Sequence, residues 1–242
     1  MGGAEFRLHI LLCCATPTEA RPLRKLLSSI ALPQKSGKTW VWQRGADRFE
    51  ILRTGISEVA VAESLRQFQG SRQKISSLQS KGTRASSQEL DDRNTGGAPD
   101  FVIVFGLAGA LHPSVAAGTL VIPQSWRSEG HADALTCSDR LARKASHTAV
   151  EDPAVLVGGA GVTLLQPALS PEERREVVRK FPDALICDME TYFVLRHFQR
   201  ESVSIRVVSD DVIEPQRTNF KLLSSALAQF VFRFLMTLSD ER

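Results

Sequence analysis

Most of the six apolar runs in this chain are too continuous to have one wet face, and that property restricts the fold more than any other. They are "FRLHILLCC" (6–14), "FVIVFGLAG" (101–109), "GTLVIP" (118–123), "AVLVGGAGVTLL" (154–165), "ALICD" (184–188) and "VSIRVVS" (203–209). A strand with one solvated face alternates apolar and polar residues, whereas a strand covered on both faces does not. Helical patterns lie between the runs, at 19–30, 57–69, 137–150, 170–181, 190–200 and 219–238. The fourth carries a capping box, with Ser170 as N-cap, Pro171 at the first helical position and Glu173 three residues past the cap. Strands alternating with helices specify an α/β layer fold. "WVWQRG" (40–45) and "FEILRTG" (49–55) read as an antiparallel hairpin, so the expected architecture is a single domain with a mixed central β-sheet flanked by helices.

The 242 residues are 43% hydrophobic, enough for one sizeable core. Lys and Arg number 30 against 27 Asp and Glu, and no basic run interleaves with aromatics, which argues against a nucleic-acid partner. Cys13, Cys14, Cys137 and Cys187 show neither metal-ligand nor disulfide-framework spacing, which points to a reducing cytoplasm. The N-terminal apolar run is too short for a signal peptide and has Glu5 in its flank, and no run reads as a membrane span. Residues 70–98 are rich in Ser, Gln, Gly and charge; they read as a flexible insertion within one domain covering 1–242.

In open α/β sheets, ligands bind beyond the carboxyl ends of strands, where loops converge and helix N-termini offer unpaired N–H groups. Three acids fall at such ends: Glu19 in "CCATPTEARPL", Glu190 in "ALICDMETYF" and Asp210 in "RVVSDDVIEP". The Gly- and Ala-rich stretch "VFGLAGALHPSVAAGTLVIP" (104–123) lets backbone approach a ligand. Each acid also has a plain structural reading: Glu19 and Glu190 as first-turn helix charges, Asp210 as a solvated turn residue, and Asp188 as a cap.

"FGLAGAL" followed by "GTLVIP", then "CDMET", then "IRVVSDD", resembles the nucleoside phosphorylase and nucleosidase superfamily, and "CCATPTEARPL" is similar to its nucleosidase branch. "RTGISEVAVAESL" is a counterpart of that family's "SGIG"-type turn. The resemblance implies that Met189 lies against the ribose and that Glu190 accepts from ribose hydroxyls, near the positive charge that builds as an N-glycosidic bond breaks. It implies that Asp210 protonates the departing purine, beside Ser209, and that Glu19 with Arg206 positions the attacking water. It implies backbone contacts from Gly106, Leu107, Ala108 and Gly109. Phe220 falls where an aromatic lies near the ligand, core packing being the other reading.

The sequence departs from the family pattern in three places. Leu107 stands where many relatives have a hydroxyl, Ala110 where the usual "AGG" has its second Gly, and Val162 or Thr163 near the place of an adenine-stacking Phe. The expected activity is hydrolysis of a 5′-substituted, adenosine-like purine nucleoside without a cofactor or metal. Two alternatives stay open: a phosphorylase, possibly on a lipid-linked adenosyl substrate as in the hopanoid-associated relatives, and a nucleoside-binding protein without chemistry. The resemblance also implies a homodimer in which "QSWRSEGHADAL" (124–135) covers a neighbour's site. His112 and His131 read as loop histidines.

Overall fold

The computed structural model describes residues 7–36, 38–80, 98–148, 154–168, 170–198, 200–210 and 219–240. Twelve strands form one mixed sheet in these residues, covered on both faces by helices. The order runs β2(Gln34–Ser36), β3(Thr39–Arg44), β4(Asp47–Arg53), β1(Leu8–Cys14), β5(Phe101–Ala110), β11(Ala184–Asp188), β10(Ala160–Thr163), β7(Ser125–Ser128), β8(His131–Thr136). β12(Glu201–Asp210) branches from β5 and carries β6(Leu120–Ile122), which pairs in turn with β9(Val155–Val157).

All seven residues of β1 are buried, and their alternation divides them between two layers. Leu8, Ile10, Leu12 and Cys14 join the core under α1(Pro17–Leu27), α3(Asp139–Thr148) and α6(Phe220–Asp240), while Leu11 and Cys13 face α2(Glu58–Ser80) and α5(Thr191–His197). This is the two-sided burial that continuous apolar runs require. α4(Pro171–Lys180) lies over a smaller cluster of Leu111, Val162, Val177 and Cys187.

β5 is where the sheet forks. Its residues from Phe101 pair in parallel with β1 on one side and β12 on the other, and Gly109 and Ala110 pair antiparallel with β11. The β5–β12 register shifts between Val208 and Asp210, leaving Ser209 as the extra residue of a bulge. Such bulges re-aim side chains at the end of a ladder.

Several expectations need correction. The run 154–165 is two strands, because Gly158 and Gly159 take φ of 126° and 69° and turn the chain from β6 towards β11. Residues 125–128 and 131–136 form a hairpin built into the sheet through β10, so His131 begins a strand and stacks on Tyr192. α2 continues to Ser80, so the first part of the segment read as an insertion is helical, and 81–97 lie outside the described residues. α6 is long and apolar enough to cross a membrane by length and composition, contrary to the reading that no run is. Its Leu223, Leu227, Phe230, Phe234 and Leu238 are instead buried in the core shared with β1, β5 and β12.

Candidate active site

The carboxyl ends of β1, β5, β11 and β12 surround a cavity of about 280 Å³. It brings together eight residues anticipated from the sequence: Glu19, Leu107, Ala108, Gly109, Met189, Glu190, Ser209 and Asp210. Arg206 lies beneath it, fully buried, and Gly106 packs between Arg206 and Glu19. Phe220 is outside this lining, half exposed at the first position of α6.

Glu19 is the third residue of α1 and closes a capping box with Thr16: its Oε2 accepts from Thr16 N at 2.7 Å and Thr16 Oγ1 at 2.9 Å. Its Oε1 accepts from Leu107 N at 2.8 Å. The helix-start reading and the site reading of Glu19 therefore coincide in one side chain that ties α1 to β5. Thr16, a hydroxyl in the cavity wall, was missed from the sequence, although Thr16 and Glu19 have capping-box spacing.

The adjacent acids after β11 divide their tasks. Asp188 accepts from Thr163 Oγ1 at 2.7 Å and from Glu190 N and Thr191 N at 3.3 Å, which caps α5. Glu190 occupies the N-cap position but makes no side-chain cap bond; its Oε1 instead accepts from Arg206 Nη1 at 2.9 Å. Arg206 Nη2 pairs with Asp188 Oδ2 at 2.7 Å and donates to Thr191 Oγ1. One buried guanidinium thus serves Asp188 and Glu190, with Glu19 nearby. Burial first, and then Asp188, push Glu190 up to about 8 against the pull of Arg206.

Gly106 has no room for a side chain, since a Cβ there would lie 2.3 Å from Arg206 Nη1 and 2.5 Å from Glu19 Oε1. At the opposite wall the bulge sets Asp210 beside Gly109, with Ser209 Oγ donating to Asp210 Oδ1 at 2.6 Å. Arg174 of α4 pairs with Asp210 Oδ2. This arginine was not anticipated; the hint was its helical spacing from Val177, since both are buried on one face of α4. The cavity is completed by Ile56, Leu164, Pro167, Ala168 and Cys187.

The family model of the phosphorylase superfamily matches residues 9–237. The chain belongs to that superfamily. Membership makes it a nucleoside-processing enzyme. Among solved structures, this superfamily member is similar to the 5′-methylthioadenosine/S-adenosylhomocysteine nucleosidase of Campylobacter jejuni, at 15% identity and TM-score 0.71, over 97% of this chain and 100% of that one. The futalosine hydrolase of Helicobacter pylori matches at 17% identity and TM-score 0.68, over 97% and 99% of the two chains. The Colwellia psychrerythraea methylthioadenosine/S-adenosylhomocysteine nucleosidase, solved with adenine, matches at 17% and 0.70, over 96% and 97%. No curated protein matches the sequence directly.

Proposed function

We propose that the enzyme hydrolyses the N-glycosidic bond of a purine nucleoside, with a 5′-substituted adenosine-like compound as substrate. The observation that carries this reading is the orientation of Glu190, which leaves the capping of its helix to Asp188 and faces a cavity that Glu19 and Asp210 also line. A carboxyl group there suits the vicinal hydroxyls of ribose and, once ionised, the positive charge of an oxocarbenium-like transition state. Arg206 fixes its direction.

In this mechanism Asp210 gives a proton to N7 of the purine, so that the C1′–N9 electron pair leaves on a neutral base. Water held by Glu19 attacks C1′. Glu19 Oε1 accepts one bond from Leu107 N, and a carboxylate oxygen accepts two, so one site serves the water. Thr16 Oγ1, donating to the same carboxylate, supplies the hydroxyl that Leu107 lacks. Glu19 also disfavours phosphate as nucleophile, because a dianion and a carboxylate a few ångströms apart repel by several kcal/mol at intermediate dielectric, on the order of the Coulomb estimate. Gly109 and Ala108 present backbone to the base, and Met189 covers the sugar.

The enzyme acts as a homodimer in a reducing cytoplasm, a reading supported by the four free, buried cysteines and by exposed Ile56 of the cavity wall and exposed Val59 three residues further on. Light scattering that finds only monomer in an active sample overturns the dimer. The function itself is tested by incubating the protein with 5′-methylthioadenosine and assaying free adenine. Release that drops by about 10²-fold or more in Asp210→Asn supports the mechanism, that being the usual scale for a positioned acid; undiminished release in a folded variant contradicts it.

A further inference from the structure

We propose that Arg174 is a positioning residue that holds Asp210 as a carboxylate in the empty site and releases it to a proton only when a base enters. This rests on the assignment of Asp210 as proton donor. Arg174 is 5% exposed and anchored on β5, on β12 and on the loop before its own helix. Its Nε donates to Ala168 O at 3.2 Å, its Nη1 to Ala110 O at 3.3 Å, and its Nη2 to Asp210. A guanidinium held this way cannot drift off its partner as a surface arginine does.

Both oxygens of Asp210 are bonded to donors, one from Arg174 and one from Ser209. That arrangement favours the ionised form. The other titratable groups at the cavity do not offset it. Asp188 and Glu190 are engaged by Arg206, and Glu19 by Thr16 and Leu107 N. The Cys187 thiol, pushed up to about 12 by burial, is neutral. Among the described residues of the lining, Arg174 is the cation.

An ionised Asp210 cannot act as an acid, and here the chemistry of guanidinium matters. Arginine has five N–H donors and no acceptor, so a protonated Asp210 oxygen has nothing to donate to on that side. On the Arg174 side its O–H finds an acceptor only when N7 of a purine is present, and the other oxygen can donate to Ser209 Oγ only if Ser209 turns its own hydrogen to Ala108 O at 3.2 Å. Protonation of Asp210, loosening of the Arg174 pair and base occupancy are therefore one coupled event. Asp210 takes a proton from solvent as the base docks and passes it to N7 as the C1′–N9 bond breaks. The water oxygen bonds to C1′ and the water proton goes to Glu19. Asp210 ends as a carboxylate, and Arg174 reclaims it as the base leaves.

The test is the pH dependence of kcat/KM for wild type, Arg174→Gln, Arg174→Lys and Asp210→Asn, with 5′-methylthioadenosine as the probe substrate. Alongside it, carbon NMR of the labelled Asp210 carboxyl in the ligand-free proteins reads the titration without catalysis. The expected result is that Arg174→Gln moves both the alkaline limb of kcat/KM and the Asp210 titration up by about one pH unit or more, the scale for losing an adjacent cation. Arg174→Lys, which keeps the charge, leaves both near wild type. A limb and titration that stay in place in Arg174→Gln while kcat/KM falls equally at all pH values reduce Arg174 to a tether and overturn the proposal. If the NMR titration moves but Asp210→Asn keeps the wild-type rate and limb, Arg174 does control Asp210 and the proton-donor assignment is what fails. Should Arg174→Gln not fold, the same two readings on Arg174→Met decide the matter.

Discussion

Arg206 and Glu190 meet at 2.9 Å with the guanidinium wholly buried and the carboxylate 4% exposed. The pair is a structural commitment as well as a part of the site, because Asp188 shares the same guanidinium at 2.7 Å. Removing one partner of a buried ion pair leaves the other without compensation, which costs about 3–5 kcal/mol. Arg206→Met is expected to lose stability on that scale in denaturant melts, together with most activity. A variant as stable as wild type contradicts the view that Arg206 neutralises both acids.

Glu190 makes stability depend on pH in a direction opposite to that of an ordinary ion-paired carboxylate. Its folded pKa, pushed up to about 8 by burial and Asp188, lies above the ordinary value of 4.5 for an exposed glutamate. The stability it contributes is fully present below the lower value and is lost as the pH rises through the higher one. Thermal melts of wild type should therefore fall between pH 5 and pH 9 more steeply than those of Glu190→Gln, which should be the more stable protein at pH 9 and the inactive one throughout. Parallel melting curves across that range count against the assignment.

Gly106→Ala tests the packing beneath the cavity. The added Cβ would press on Arg206 Nη1 and Glu19 Oε1. Displacing these groups should cost about 1–3 kcal/mol, the range for overpacking a filled interior, and should lower kcat far more than it lowers the melting temperature. A fully active alanine variant would mean that Arg206 and Glu19 are not held where the chemistry needs them.

Ser57 has φ of 97° in the turn that leads from β4 into α2, next to Ile56 of the cavity wall. A side chain in that region of backbone space is strained by about 1–3 kcal/mol, partly offset here by Ser57 Oγ accepting from Ala60 N at 3.5 Å. Ser57→Gly is expected to raise stability by up to about 1 kcal/mol, measured by urea unfolding. Destabilisation would show that the cap bond outweighs the strain.

Much of this architecture was legible because burial on both faces leaves a direct trace in hydropathy: β1, β5 and β11 are nearly continuous apolar runs, β12 is apolar apart from buried serines, Arg206 and its terminal acids, and their ends mark the site. The cap at Ser170 was legible for the same reason, a local rule with a local cause. The features that escaped depend on backbone conformation or on long-range pairing. Gly158 and Gly159 look like strand residues until their positive φ separates β9 from β10. The β7–β8 hairpin has polar residues at Ser125 and Ser128 and a strand identity that comes from its pairing with β10. Arg174 stands among the charged residues of "SPEERREVVRK", and only the approach of α4 to the end of β5 turns it inward onto Asp210. α6 was legible as a helix over 219–238; the sequence reading missed that its apolar residues, which serve the core, match a membrane span in length and composition.

The central claim is that water, directed by Glu19, is the nucleophile. The most direct measurement is purine release from 5′-methylthioadenosine in phosphate-free buffer and with added phosphate, with the sugar product identified. Equal rates in both buffers, a free 5′-substituted ribose as product, and a loss of about 10²-fold in Glu19→Gln, as expected for a water-orienting base, are the predicted result. Release that requires phosphate and yields a ribose 1-phosphate would contradict it and make the enzyme a phosphorylase.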